Sequence, residues 1–119
     1  MKIAITAQSS TPQSKVDPRF GRAAWIVIYD QEKNNWESVD NSAGSTAAQG
    51  AGIQAAQVVV DHQAGALITG AIGPKAFQSL TAAGVKIYNG ATGTVKNALR
   101  AYLEGKLTES STKDATGGF

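Results

Sequence analysis

Three cations and two glycines stand in segments whose residue types suit the binding of an anion. Arg19 and Arg22 follow the first apolar run of the chain, and Lys75 follows Gly70 and Gly73 after a later one. Glycine lets the backbone approach a ligand closely, and the cations supply positive charge. The sequence therefore predicts an anion site. Two plainer interpretations stay open: glycines that serve only turn geometry, and arginines that are exposed loop cations.

The sequence contains none of the common catalytic motifs. There is no G-x-S-x-G elbow, no P-loop and no H-E-x-x-H. The 119 residues include no cysteine, so they supply neither a disulfide nor a thiolate ligand. The run Gly50–Gly52 lacks the third glycine of a dinucleotide fingerprint and does not follow the first strand. We therefore predict that the chain is not an enzyme.

Two isolated titratable residues have competing interpretations. His62, the single histidine, follows a predicted helix. That position favours an interaction with the helix dipole, with metal ligation as the alternative. Asp17 precedes Pro18, which favours the start of a turn over a ligand or catalytic carboxylate.

The composition describes one soluble domain. A chain of 119 residues with 42% hydrophobic and 17% charged residues is close to the commonest domain size. No apolar run approaches the roughly 20 residues of a membrane helix, and no signal peptide is visible before the first strand. We therefore expect a cytoplasmic protein with no membrane partner. A net charge of +2 is too small to indicate nucleic acid.

Alternating and β-branched residues predict five strands. Lys2–Thr6 is a short buried strand, and Ala24–Tyr29 with Trp36–Val39 forms a hairpin around turn residues. Ala66–Thr69 and Val85–Tyr88 are two further short apolar runs. Each of these last two is followed by a glycine-containing loop and a helical pattern, as in a βα unit.

Apolar residues at helical spacing predict three helices. The first has its apolar stripe between Ile53 and Val60. The second begins at Pro74, a residue favoured at the first helical position, and ends at Gly84. The third follows Thr94 as N-cap and has an apolar stripe that runs to Leu103.

This element order predicts an α/β fold with one reversed strand. Right-handed crossovers give a five-stranded mixed sheet of order 3-2-1-4-5 in which strand 2 is antiparallel. The carboxyl ends of the other strands then share one edge with the amino termini of all three helices, which favours an anion there. Open α/β sheets bind ligands where the strand order reverses, here between strands 1 and 4. The loops predicted at this edge are 7–23, 41–49, 70–73 and 89–93.

Four segments resemble a known family. They are VDPRFGRA at 16–23, QGAGIQAAQ at 49–57, ALITGAIGPKAF at 66–77 and TVKNALRAYLEGKL at 94–107. Together they resemble the dinitrogenase iron-molybdenum cofactor biosynthesis family over almost the whole chain except the tail. The pair D-x-R-F-G-R and T-G-x-x-G-P, in that order, is fairly specific. The resemblance implies a ribonuclease H-like α/β fold and a role in binding, carrying or assembling a metal–sulfur cluster.

Within that family the chain is most similar to a small member whose role implies a mixed molybdenum–copper sulfide cluster. Such a cluster brings its own sulfides and is held as an anion without covalent protein ligands, in keeping with the lack of cysteine. The resemblance then implies that cations balance its charge, loop amides donate to its sulfides and apolar side chains exclude water. The cofactor-binding residues assigned on this basis are Arg19, Phe20, Gly21, Arg22, Gly70, Ala71, Ile72, Gly73, Lys75, Asn89 and Thr94.

The resemblance and the composition also set expectations for domains and partners. Residues 1–105 are expected to form a single cluster-binding domain, and residues 106–119, which lack periodicity, a flexible tail. The expected partners are the cluster itself and partner ATPases or cluster-assembly proteins. We expect a monomer, with a dimer around the cluster as the alternative.

Two other functions stay open. Ribonuclease H-like folds host nuclease and phosphoryl-transfer chemistry, but two-metal catalysis needs clustered carboxylates, normally one in the first strand. The segment Lys2–Thr6 contains none. A regulatory or scaffolding module that binds a phosphate-bearing metabolite or a partner ATPase would use the same loop edge equally well.

Overall fold

A mixed sheet with helices on both faces forms the domain in the computed structural model, which describes residues 1–42 and 50–110. Among these residues the strands are β1 (Lys2–Ala7), β2 (Trp25–Asp30), β3 (Asn35–Asp40), β4 (Ala64–Ile68) and β5 (Lys86–Tyr88). The helices of nine or more residues are α1 (Ala51–Asp61), α2 (Pro74–Ala82) and α3 (Val95–Leu103).

The sheet has the predicted order, β3-β2-β1-β4-β5. Strand β2 is antiparallel to both β1 and β3, while β1 is parallel to β4 and β4 is parallel to β5. The α/β class, the strand order and the single reversed strand are therefore confirmed. The strand order reverses between β1 and β4, where open α/β sheets bind their ligands.

The strand boundaries differ from the predicted ones by one or two residues, and two of these differences have a clear local reason. Strand β4 begins earlier than predicted because Ala64 already pairs with Lys2. Strand β5 begins later because the Val85 N–H donates to the carbonyl of Leu80, at 2.9 Å, and so completes the end of α2. Neither difference changes which loops reach the carboxyl edge.

Each face of the mixed sheet has its own apolar core, because helices cover both faces. Helices α1 and α2 cover one face, where Phe20 and Ile72 are fully buried with them. Helix α3 covers the other face. There Tyr88 and Tyr102 meet edge to face with ring centroids 5.1 Å apart. The pKa of Tyr102 is raised, mainly by burial and to a smaller extent by the neighbouring Tyr88.

The chain remains in contact with the domain for several residues after α3. Leu107 packs on the α3 side of the sheet, and the Ser110 N–H donates to the Ile87 carbonyl at 2.7 Å. The first residues of the predicted tail are thus held against β5, and residues 111–119 lie outside the described residues. Across residues 1–42 and 50–110, no helix is long and apolar enough to cross a bilayer.

Candidate functional site

The segment that carries both arginines, residues 16–23, lies at the carboxyl ends of β1 and β4 and is called the arginine loop below. The Asp17 N–H donates to the Thr6 carbonyl, and the Phe20 N–H donates to the Ala71 carbonyl, each at 2.9 Å. Arg19 and Ala71 also form an isolated parallel bridge. The arginine loop is therefore fixed to both strands at the point where the sheet order reverses.

A pair of buried hydroxyl groups supports the arginine loop from below. Thr6 Oγ1 donates to the Asp17 carbonyl at 3.0 Å and lies 2.8 Å from Thr69 Oγ1. Because a hydroxyl has a single proton, Thr69 must be the donor to Thr6. Both threonines are fully buried, so this chain of hydrogen bonds is shielded from water and joins β1, the end of β4 and the arginine loop.

Two glycines let the arginine loop approach its neighbours more closely than any other residue would allow. A Cβ at Gly70 would lie 2.5 Å from Pro18 Cα and 2.6 Å from the Pro18 carbonyl oxygen. A Cβ at Gly21 would lie 2.7 Å from the backbone nitrogen of Gly52, in the first turn of α1. The arginine loop thus lies between the turn before α2 and the start of α1 and is in close contact with both.

The side chain of Asp17 sets the local shape of the arginine loop. Its Oδ1 accepts from the Arg19 N–H at 2.9 Å, the hydrogen bond of an Asx turn. The residue is 8% exposed. The structure therefore agrees with the turn interpretation of Asp17, and its carboxylate fixes the backbone from which the Arg19 side chain leaves.

Two helix amino termini at this edge begin without a side-chain cap. The N-cap residues of α1 and α2 are Gly50 and Gly73, which have no side chain to accept from the first-turn N–H groups. Helix α3 differs, because Thr94 Oγ1 accepts from the Asn97 N–H at 3.1 Å. Helices α1 and α2 lie on either side of the arginine loop. Because their N-cap residues have no side chain that accepts from the first-turn N–H groups, the partial positive charge of each amino terminus is not offset by a cap.

The predicted site residues differ in exposure and in their place in the fold. Arg19 and Lys75 are exposed, so two cationic side chains can meet an anion at the edge, and Arg22 is half-buried. Phe20 and Ile72 are fully buried in the core beneath it. The backbone brings together Arg19, Phe20, Gly21, Gly70 and Ala71. The segment between β5 and α3 joins them, because the Gly90 N–H donates to the Gly70 carbonyl at 2.7 Å and the Val16 N–H donates to the Gly93 carbonyl at 2.9 Å. Of the other predicted residues, Gly73 and Lys75 begin α2, Thr94 caps α3, and Asn89 shares hydrogen bonds with Ser110.

His62 lies away from this site. It is the C-cap residue of α1, at the opposite edge of the sheet, and its Nδ1 lies 2.9 Å from the Val58 carbonyl oxygen, which accepts. Residues 1–42 and 50–110 contain no group of three or more His, Cys, Asp and Glu that could hold a metal ion. Of the predicted 41–49 loop, Asn41 is buried with its amide donating to the Ala23 carbonyl at 2.9 Å; residues 43–49 lie outside the described residues.

The family model described as dinitrogenase iron-molybdenum cofactor matches residues 1–105. The chain belongs to the dinitrogenase iron-molybdenum cofactor family. The resemblance carried by the arginine loop and by the segment before α2 is thereby confirmed. Membership supports a cofactor-related role in carriage or assembly, at the level of the family.

Two solved structures and a further relative are similar to the chain over about nine-tenths of its length. The apo form of the orange protein from Desulfovibrio gigas is 46% identical, with 92% of each chain covered and a TM-score of 0.89. A protein described as a NifB protein from Thermotoga is 37% identical, with 91% of each chain covered and a TM-score of 0.79. An uncharacterized protein from Methanocaldococcus jannaschii is 29% identical over 110 residues, which is 90% of this chain and 89% of that protein.

Four residues that contact the arginine loop or belong to it were not predicted from the sequence. Thr6, Thr69, Pro18 and Gly52 were not among the predicted site residues, although each contacts the loop or belongs to it. One signal was available: two strands predicted to be parallel neighbours both end in threonine, at the same edge. In parallel neighbouring strands whose ends align, these two threonines lie side by side, so their hydroxyl groups are expected to meet.

Proposed function

We propose that the chain binds and carries an anionic metal–sulfide cluster without covalent ligation, as a cofactor carrier or assembly protein rather than an enzyme. The observation behind the proposal is the arginine loop, which lies between two helix amino termini that have no side-chain cap. Arg19 precedes Phe20, whose N–H donates to Ala71 in the turn before α2. Arg22 follows Gly21, which lies against the first turn of α1. Each arginine therefore lies next to a different helix amino terminus.

The chemistry of the edge favours an anion that supplies its own sulfide. Each helix amino terminus acts as roughly half a positive charge, and arginine offers several N–H donors in a fixed fork. The 119 residues include no cysteine and so offer no thiolate. A cluster bound here would be held by charge and by hydrogen bonds to its sulfides, with Lys75 adding charge at the start of α2.

We propose a molybdenum–copper sulfide as the cluster. The support is the resemblance to a small family member with that cargo, together with the 46% identity to a protein whose structure is called an apo form. The fully buried Phe20 and Ile72 lie beneath the edge, where they would keep water from the inner side of the cluster. The cytoplasmic location, the monomeric state and the partner ATPases or assembly proteins stay predictions.

A visible absorption spectrum tests the proposal directly. Purified protein is incubated with tetrathiomolybdate and a copper salt and then desalted. We expect charge-transfer bands that travel with the protein, and no bands when molybdate, which has no sulfide, replaces the thiomolybdate. A colourless protein after desalting would contradict the proposal. Stabilisation by nucleotides but not by thiometallates in a thermal-shift assay would instead support the metabolite-binding alternative, since ligands of the native state raise its stability.

Asp17→Ala is expected to weaken cluster binding about fivefold, because the Asx turn that orients Arg19 would lose an acceptor worth about 1 kcal/mol. Asp17→Asn keeps an oxygen in the same place and should restore most of the affinity. In a double-mutant cycle, Asp17→Ala should have little further effect once Arg19 is alanine. Additive effects in that cycle would show that Asp17 does not act through Arg19.

A further inference from the structure

A second concave surface lies on the α3 face of the sheet. It is an open groove of about 320 Å³ between α3 and the β2–β3 hairpin, called the hairpin groove below. One end of the groove, at Tyr29, lies where β2 pairs with the start of β1, away from the arginine loop. The other end, at Lys96, lies in the first turn of α3, where the Lys96 N–H donates to the Pro12 carbonyl at 2.9 Å. The residues that matter here are Tyr29, Trp36, Lys96, Leu99, Arg100 and Leu103.

The floor of the hairpin groove is apolar and aromatic. The rings of Tyr29 and Trp36 are tilted by 52° with centroids 4.9 Å apart, and the Tyr29 hydroxyl donates to the Asn34 side chain, which fixes the ring. Leu103 is 50% exposed at the end of α3. A half-buried tryptophan beside an exposed leucine offers an anchor site for an apolar side chain, because such contacts carry much of the binding energy at protein interfaces.

The rim of the hairpin groove is positively charged. Lys96 and Arg100 are exposed on successive turns of α3, and neither has an ion-pair partner within the described part of the chain. The carboxylate that lines the groove, Glu104, is paired with Lys106 at 3.1 Å. The groove thus has two uncompensated cations beside an apolar floor.

We propose that the hairpin groove is a docking site for an acidic amphipathic segment of a partner protein. One apolar side chain of the segment packs between Trp36 and Leu103, and two carboxylates pair with Lys96 and Arg100. Residues on successive helical turns have Cβ atoms about 5–6 Å apart, so the carboxylates of the partner stand one helical turn apart or two residues apart on a strand. Charge complementarity gives the docking its specificity and speeds its association.

The location of the hairpin groove has a functional consequence. A partner bound there leaves α1 and α2 uncovered, because these helices pack on the other face of the sheet. The chain can therefore be held by a partner while the amino termini of α1 and α2 stay accessible. This inference does not depend on what the arginine loop binds.

Nuclear magnetic resonance on the full ¹⁵N-labelled chain tests the docking site without any metal. The probe is a synthetic helical peptide with one leucine anchor and two glutamates one turn apart. We expect shifts at the Trp36 indole N–H and along α3, and affinity about tenfold weaker for Arg100→Glu. The matched control is Lys86→Glu, which makes the same charge change at an exposed position of β5 and should leave the affinity unchanged.

Several outcomes would overturn the docking site. Absence of shifts in the groove at millimolar peptide would do so, as would equal weakening by Lys86→Glu. Unchanged affinity of a peptide whose leucine is replaced by alanine would reduce the interaction to charge alone and reject the anchor. Groove shifts that depend on protein concentration without peptide would assign the surface to a second copy, and tighter binding of a short single-stranded oligonucleotide would assign it to nucleic acid.

Discussion

Replacing Arg19 and Arg22 together by alanine is expected to lower the affinity for the thiomolybdate–copper cluster about 100-fold. A hydrogen bond to a charged group contributes about 1.5–3 kcal/mol, and because Arg19 is exposed the lower end applies, which gives about 3 kcal/mol for the pair. Neither side chain belongs to the apolar core, so the fold should be retained. Titration of the cluster, followed by its visible absorption, measures the change.

The matched control removes two cations at the other edge of the sheet, Lys33 in the turn between β2 and β3 and Lys86 at the start of β5. Lys33→Ala with Lys86→Ala makes the same change in net charge at two exposed positions. It should leave the cluster affinity within about twofold, because the strands separate the two edges by roughly 15–20 Å and exposed charges more than about 10 Å apart interact weakly at ordinary salt. Equal losses in both double variants would show that net charge, and not the arginine loop, retains the cluster. A changed circular dichroism spectrum in Arg19→Ala/Arg22→Ala would assign its effect to the fold.

The sheet was predictable from the sequence because each element satisfies several rules at once. Ile3 and Ile5 alternate on a short strand, the turn residues around Asn34 close a hairpin, and Thr94 caps α3 as expected. Right-handed crossovers then leave one simple strand order. These signals are local, and the long-range arrangement follows from them with few alternatives.

The interior of the candidate site was not predictable in the same way. The contact of Gly70 with Pro18 joins residues far apart in the sequence, and no periodicity records it. The same holds for the hydrogen bonds of Asn89 with Ser110, because Ser110 lies in a segment with no helical or strand pattern. Composition and spacing identified the cations and glycines, but only the folded chain shows that the glycines serve close approach between backbones.

Gly70→Ala is expected to destabilise the fold by about 2 kcal/mol and to weaken cluster binding about tenfold, because an atom inserted into a packed contact costs about 1–3 kcal/mol. The added Cβ would lie 2.5 Å from Pro18 Cα, and backbone, unlike a flexible side chain, cannot turn away. Pro18 must move, and Arg19 moves with it. Chemical denaturation measures the stability, and cluster titration measures the affinity.

Gly84→Ala separates this steric effect from the general cost of replacing a glycine. Gly84 has φ +84° and open space around its missing Cβ, so alanine there meets only the left-handed backbone penalty of about 1 kcal/mol. Gly84 follows α2, away from the arginine loop, and its variant should lose stability while keeping full affinity. If Gly70→Ala also kept full affinity, the close approach of Pro18 would matter only for the fold. A loss of affinity confined to Gly70→Ala would instead show that this contact positions Arg19 for the anion.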